Sequence, residues 1–118
     1  MSRDAQVIVA GGGPAGAAAA LVLARHGRPV LLAGGAEGDG FRIGEALPPA
    51  VRPLLRDLGI LDSFLADAPL PCYGNVSIWG NDEPAVTDFI FDPNGHGWHV
   101  DRARFDAICR DTARDAGA

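Results

Sequence analysis

With 118 residues, 47% of them hydrophobic and 21% charged, the chain has the size and composition of one small globular domain. Its net charge of −5 comes from fifteen acids and ten arginines with no lysine, which argues against a nucleic-acid partner or an anionic-membrane surface. No run of 18 apolar residues is present to span a bilayer, and Asp4 is not typical of a secretion signal, so we expect a cytoplasmic protein.

The first predicted element is a short strand followed by glycines. Residues 7–9 (VIV) form an apolar run, which is typical of a strand buried on both faces of a parallel sheet. Gly11, Gly13 and Gly16 then fit G-x-G-x-x-G. In this pattern the first glycine makes a tight turn, the second lets the backbone approach a pyrophosphate, and the third lets the helix pack on the strand. The motif therefore predicts a nucleotide-phosphate loop rather than a purely structural turn.

A helix is predicted from Ala15 to His26. Pro14 suits its first position because the fixed φ of proline is already helical, and Gly27 is predicted to end the helix. The free N–H groups of the first turn, from Ala15 onward, are predicted to face the phosphates.

The segment "VLLA" predicts a second strand, after which the dinucleotide pattern expects an acid that holds a ribose hydroxyl. The expected position falls at Gly34, and the nearest acids are Glu37 and Asp39. This part of the pattern is not met.

Two helices and a hairpin are predicted in the middle of the chain. An amphipathic helix is expected between Pro48 and Gly59, and "LDSFLADA" predicts one or two further helical turns. The stretches "YGNVSIWG" and "AVTDFIF" alternate in polarity with period two, which predicts a β-hairpin. Trp79, Phe89 and Phe91 either line a substrate cavity or pack in a core, and packing is the commoner role for strand aromatics.

Cysteine and histidine spacing does not indicate a metal centre. Cys72 and Cys109 are too few for a disulfide framework and are predicted to be buried free thiols. His96 and His99 flank a predicted turn, "DPNGHG", without carboxylates or cysteines at metal-ligand spacing.

The last predicted helix begins after Asp101, which can cap it. Phe105 and Cys109 lie on its predicted apolar face, while Asp106 and Arg110 are expected to pair at i,i+4 on the outer face. Arg102 in the first turn either forms a surface ion pair with Asp106 or binds an anion at the helix N-terminus.

Three stretches carry a family resemblance: "GGGPAGAAAALVLARHGRPVLL", "RIGEALPP" and "GHGWHVDRARFDAICRDTA". Together they resemble the amino-terminal part of the FAD-dependent monooxygenase, flavin-halogenase and geranylgeranyl-reductase superfamily, over nearly the whole chain. The resemblance implies a Rossmann-like FAD-binding β-α-β start with an added β-hairpin, within an incomplete doubly wound parallel sheet. It implies FAD contacts for Arg42, Gly44 and Glu45, and for Arg102.

The resemblance also implies a domain plan and a reaction class. Residues 1–70 would form the FAD-binding β-α-β and helices, residues 71–97 a hairpin of a substrate-side sheet, and residues 98–118 a helix returning to the FAD-binding domain. In flavin halogenases of this group, the strands that follow the segment corresponding to "RIGEALPP" carry a lysine that reacts with hypohalous acid. The segment "CYGNVSIWG" has none, so halogenation is disfavoured relative to hydroxylation, dehydrogenation or double-bond reduction.

Three functions stay open at this point. The first is the amino-terminal segment of an FAD-dependent, monooxygenase-like oxidoreductase acting on a small molecule. The second is an NAD(P)-binding dehydrogenase module, which would place an acid near Gly34. The third is an accessory flavoprotein that acts on a partner protein. Because a third parallel strand normally follows the last helix, we expect the natural protein to be longer and this segment alone to be inactive.

Overall fold

The computed structural model describes residues 4–34 and 46–118. Within these ranges the chain contains seven strands, four α-helices and one 3-10 helix. In chain order they are β1 (Val7–Ala10), α1 (Pro14–Arg25), β2 (Val30–Ala33), β3 (Ala46–Leu47), α2 (Val51–Asp57), α3 (Leu61–Ala66), β4 (Leu70–Cys72), β5 (Gly74–Ile78), β6 (Pro84–Asp88), the 3-10 helix (Phe89–Phe91), β7 (Gly97–His99) and α4 (Arg102–Asp115).

The chain opens with a parallel β-α-β unit, as predicted. Strands β1 and β2 pair in parallel, with Val7 opposite Val30. Helix α1 begins at Pro14 and ends before Gly27, whose φ of +70° is the left-handed conformation that glycine adopts most readily. The small residues of α1 let it pack closely on the sheet, and Ala17 and Ala20 are completely buried. The predicted Rossmann-like fold class is confirmed.

The prediction that the first strand is buried on both faces is wrong for the described residues. Side chains alternate across a strand, so Val7 and Val9 face α1 while Ile8 points to the opposite side. Ile8 is 66% exposed, and its neighbour Leu31 on β2 is also exposed. The described residues supply a helical layer on one face of this two-stranded sheet and leave the other face bare.

Helix α4 returns to the β-α-β unit and packs along α1. The core between them continues into an aromatic cluster in which the Phe64 ring lies edge-on to Trp98 at 5.3 Å and to Phe105 at 5.6 Å. The guanidinium of Arg52 stacks over the Trp98 ring at 4.7 Å, a cation–π contact. The predicted cap of α4 is confirmed, because the Asp101 carboxylate accepts hydrogen bonds from backbone N–H groups of the first turn.

A small antiparallel sheet of order β3-β7-β4 joins the middle of the chain to the start of α4. Leu70 and Leu47 lie on its two outer strands, on either side of Trp98 and His99 of β7. Strands of two or three residues carry too little periodicity to be recognised in a sequence, and none of the three was predicted. The segment between β4 and β7 therefore begins and ends in the same sheet. The predicted domain boundaries at 70/71 and 97/98 stay predictions.

The predicted hairpin is confirmed: β5 and β6 pair antiparallel with Val76 opposite Val86. The second predicted strand is too long, because residues 89–91 form a 3-10 helix capped by the Asp88 carboxylate, which accepts from the Ile90 N–H. Phe89 is buried, as expected of a packing residue. Trp79 and Phe91 are 92% and 89% exposed, so for these two the prediction of packing is wrong within the described residues.

Two further predictions concern loops and membranes. The predicted turn is present, since the Asp92 side chain accepts from the Asn94 N–H at 2.8 Å and Gly95 has a φ of +84°. Among residues 4–34 and 46–118, no helix combines the length and the apolar character that crossing a bilayer requires.

Candidate functional site

The candidate site is built around residues 11–13, which we call the glycine loop. Gly11 has a φ of +118°, a conformation that only glycine adopts without strain, and its N–H donates to the Ala33 carbonyl at 2.6 Å. A Cβ atom on Gly16 would overlap the Gly11 carbonyl oxygen and would lie 3.5 Å from Val9 Cγ1. The turn and packing roles predicted for Gly11 and Gly16 are therefore present in the geometry.

Gly13 differs from Gly16 because no described residue crowds it, and from Gly11 because its φ is not positive. Its φ and ψ of −78° and −174° are open to any residue, and a Cβ atom placed on it would meet no atom of residues 4–34 and 46–118 within 4 Å. Gly13 is the N-cap of α1 and supplies no side-chain hydrogen bond to the helix. The space beside its backbone is therefore available to a ligand.

The end of α1 that faces this space is electrostatically positive. A helix N-terminus carries about half a positive charge from its unpaired N–H groups. The first turn of α1 contains no acidic residue that would neutralise it. Backbone N–H groups, the helix end and an uncrowded glycine together form the arrangement that binds phosphate groups. Cofactor binding by Gly11, Gly13, Pro14, Ala15 and Gly16 stays a prediction that this geometry supports.

Gly12 is enclosed between two parts of the chain that are distant in sequence. A Cβ atom on Gly34 would stand 3.4 Å from Gly12 Cα, and Arg110 Nη1 donates to the Gly12 carbonyl at 3.0 Å. Sequence reasoning assigned Arg110 to the outer face of α4 and so missed its approach to the loop. Gly34, where an acid was expected, contributes backbone contact to the glycine loop.

Arg102 and Asp106 form a close ion pair on α4. Arg102 Nε lies 3.1 Å from Asp106 Oδ1, and Arg102 Nη2 lies 3.4 Å from Oδ2. Asp106 is only 2% exposed, so the prediction that it lies on the outer face is wrong. The reason is that the apolar face of α4 is wide enough to include this carboxylate once a guanidinium neutralises it. Contact of Arg102 with FAD stays a prediction.

Cys109 lies beside this pair and is buried, as is Cys72, and both are free thiols as predicted. Burial raises the pKa of the Cys109 thiol from 9.0 to about 11, and the negative charge of Asp106 adds to that rise. Arg110 and Arg102 oppose the rise without cancelling it. Cys109 is therefore a protonated core residue rather than a nucleophile.

Other predicted site residues lie outside the described residues: Arg42, Gly44 and Glu45, together with the acids Glu37 and Asp39. In the part of the chain that the structure describes, no three His, Cys, Asp or Glu side chains are grouped to hold a metal ion. His96 instead packs edge-on to Trp98 at 5.2 Å, and its Nδ1 lies 2.7 Å from the Gly97 carbonyl oxygen.

The family model described as tryptophan halogenase matches residues 6–91, which include the glycine loop, the hairpin and the segment between them. The chain belongs to the tryptophan halogenase family. The predicted resemblance to FAD-dependent oxidoreductases, halogenases among them, is confirmed.

Three similar proteins illustrate the breadth of the match. The flavin-dependent halogenase rdc2 of Metacordyceps chlamydosporia is 35% identical over 116 residues, which are 98% of this chain and 22% of that protein. The putative FAD-dependent oxidoreductase LodB of Marinomonas mediterranea is 37% identical over 101 residues, 84% of this chain and 27% of LodB. The solved structure of the myxobacterial chondrochloren halogenase CndH, described as a variant of FAD-dependent halogenases, aligns with a TM-score of 0.79 and 33% identity, covering 94% of this chain and 26% of CndH.

These similarities bear on cofactor and reaction separately. All three similar proteins are named as flavin- or FAD-dependent, which confirms the predicted cofactor class at the level of the family. Because rdc2 and CndH are named halogenases, the family match runs against the expectation that halogenation is disfavoured, and that expectation stays a prediction. The chain spans about a quarter of the length of these relatives, so the similarity covers only that part of each of them.

Proposed function

We propose that this chain forms the FAD-binding part of a flavin-dependent oxidoreductase, in which the glycine loop and the first turn of α1 hold the pyrophosphate of FAD. The observation that carries the proposal is the contrast between two glycines. Gly16 is pressed against the loop backbone, whereas Gly13 lies at a positive helix end with no described atom within 4 Å of its Cβ position. A purely structural turn does not require the second feature.

FAD, when bound, would supply hydride acceptance and oxygen activation. The chain's own residues would do three simpler things. Backbone N–H groups from Ala15 onward would bind phosphate oxygens, Gly13 would let the backbone approach them, and Arg102 would present a guanidinium whose planar geometry matches phosphate or a polar edge of the cofactor. Asp106 would orient that guanidinium through two hydrogen bonds.

For the reaction itself we propose oxygenation or oxidation of a small molecule, without halogen transfer. The absence of lysine from all 118 residues favours this reading, because arginine cannot replace a lysine that must act as a compact and mobile donor. Strand β5, in the region where the family resemblance implies that lysine, holds glycine, asparagine, valine, serine and isoleucine. One similar protein, LodB, is named a putative FAD-dependent oxidoreductase and not a halogenase, which is compatible with this proposal.

The test is to purify the full-length protein that carries this sequence and to identify what it retains. We expect a yellow protein with a flavin absorption band that releases FAD, and no FMN or NAD, on denaturation. A folded protein that retains NAD and no flavin would replace the proposal with the dehydrogenase alternative.

A further inference from the structure

The side chain of Arg110 connects the third turn of α4 to the glycine loop. Its Nη1 donates a 3.0 Å hydrogen bond to the carbonyl of Gly12, a residue 98 positions earlier in the chain. The aliphatic part of the Arg110 side chain also packs beside Gly12, since a Cβ atom on Gly12 would lie 3.4 Å from Arg110 Cδ. The backbone of Gly34 closes the other side of Gly12. Gly12 is therefore the point at which α4, β2 and the glycine loop meet.

This bond determines the orientation of a backbone donor. The carbonyl of Gly12 and the N–H of Gly13 belong to one planar trans peptide, so they point in opposite directions. When Arg110 holds the carbonyl toward α4, the N–H of Gly13 is directed away from α4. We propose that Arg110 is a positioning residue for the glycine loop, which orients the Gly12–Gly13 peptide so that its N–H is presented to the pyrophosphate. This inference rests on the proposed function.

The need for such a contact follows from the composition of the loop. Three successive glycines have many accessible backbone conformations, and ordering them when a ligand binds costs conformational entropy. A guanidinium that holds one peptide plane in advance reduces that cost, because the loop is already in its binding conformation.

The experiment compares three variants of the full-length protein. Arg110→Met keeps the aliphatic contact with Gly12 and removes the donor, and Arg110→Gln removes the charge with a smaller polar side chain. The matched control is Arg114→Leu, one turn further along α4, where the exposed arginine makes a surface pair with Asp111 at 3.5 Å. The measurements are the Kd of the apoprotein for FAD and the hydrogen-exchange rate of the Gly11 amide, which donates to Ala33.

We expect Arg110→Met to raise the Kd for FAD about tenfold, because the unrestrained glycine loop must then be ordered when FAD binds. Gly11 should exchange faster in the FAD-free variant, because the loop is less restrained, whereas Arg114→Leu should match the wild type in both measurements. A purely structural role would lower the melting temperature without changing either readout in the folded protein.

A folded Arg110→Met protein whose Kd for FAD lies within twofold of the wild-type value would overturn the inference. If that variant does not fold, a Kd of folded Arg110→Gln within twofold of the wild-type value would overturn the inference in the same way. A folded wild-type protein that binds no FAD would instead refute the proposed function, and the exchange of Gly11 would still report whether Arg110 holds the loop.

Discussion

The first turn of α1 packs so closely on the glycine loop that the Gly11 carbonyl oxygen occupies the space of a Cβ atom on Gly16. We therefore expect Gly16→Ala to lower the stability of the folded protein by about 1–3 kcal/mol, the usual cost of forcing extra atoms into a packed contact. The matched control is Gly13→Ala, since a Cβ atom there meets no atom of the described part of the chain within 4 Å and φ is −78°. Thermal unfolding of both variants is the measurement, and equal melting temperatures would contradict the packing role of Gly16.

Gly13→Val tests binding rather than stability. The Cβ atom of valine at this position meets no described atom within 4 Å, yet the branched side chain would fill the space proposed for a pyrophosphate. We expect the purified full-length variant to keep its far-ultraviolet circular dichroism and to lose most of its FAD. Full FAD content in the variant would show that the uncrowded glycine has no part in cofactor binding.

Changing one partner of the ion pair between Arg102 and Asp106 should lower the free energy of unfolding. Asp106→Asn keeps the shape of the side chain but leaves the partly buried guanidinium with a weaker acceptor. Loss of a hydrogen bond to a charged group in such a site costs about 1–3 kcal/mol. Urea unfolding measures this loss, with the exposed Asp111→Asn as control. If Arg102 also contacts FAD, the same Asp106 variant should bind FAD more weakly.

The raised pKa of the Cys109 thiol predicts that stability decreases at alkaline pH. Its pKa in the folded protein is raised by burial to about 11, so the unfolded chain, with an ordinary pKa of 9.0, loses its proton first as the pH rises. The stabilisation that belongs to the protonated thiol is therefore fully present below pH 9 and is lost as the pH rises from 9 toward 11. We expect the difference in unfolding free energy between wild type and Cys109→Ala to shrink over that interval. A difference that grows with pH would contradict the sign of this shift.

The absence of lysine predicts no halogen transfer. The full-length protein, supplied with reduced flavin, oxygen, bromide and an electron-rich aromatic acceptor, should give no brominated product by mass spectrometry. Brominated product that requires the enzyme and is lost in Glu45→Gln would contradict this expectation. In that case a lysine from outside these 118 residues would serve the site.

The sequence predicted the β-α-β unit, the glycine turn and the hairpin because each has a local signal. Glycine spacing, helix capping and period-two alternation all act between residues close in the chain. The partner of Arg110 was not predictable in this way. At i,i+4 its carboxylate neighbour Asp106 is an obvious partner, and nothing local reveals that Gly12 lies within reach.

The burial of Ile8 and Trp79 was mispredicted for a related reason. A sequence pattern shows which side chains are suited to burial, but what covers them depends on elements elsewhere in the chain. The apolar runs were interpreted as if every face of the sheet had a covering layer, and among the described residues the second face of β1 and β2 and the hairpin have none.

That exposure affects how the 118-residue chain behaves in solution. Val76 and Val86 stand opposite each other on the same exposed side of the hairpin, and the outer backbone edges of β5 and β6 have no strand partner within the described residues. Open edges with apolar side chains favour self-association, and like-charge repulsion between molecules opposes it. Here the repulsion comes from a net charge of −5 carried by carboxylates. Protonation of carboxylates brings the net charge to zero near the isoelectric point of about 4.9, so precipitation of the isolated segment should be greatest near that pH and should decrease on return to neutral buffer.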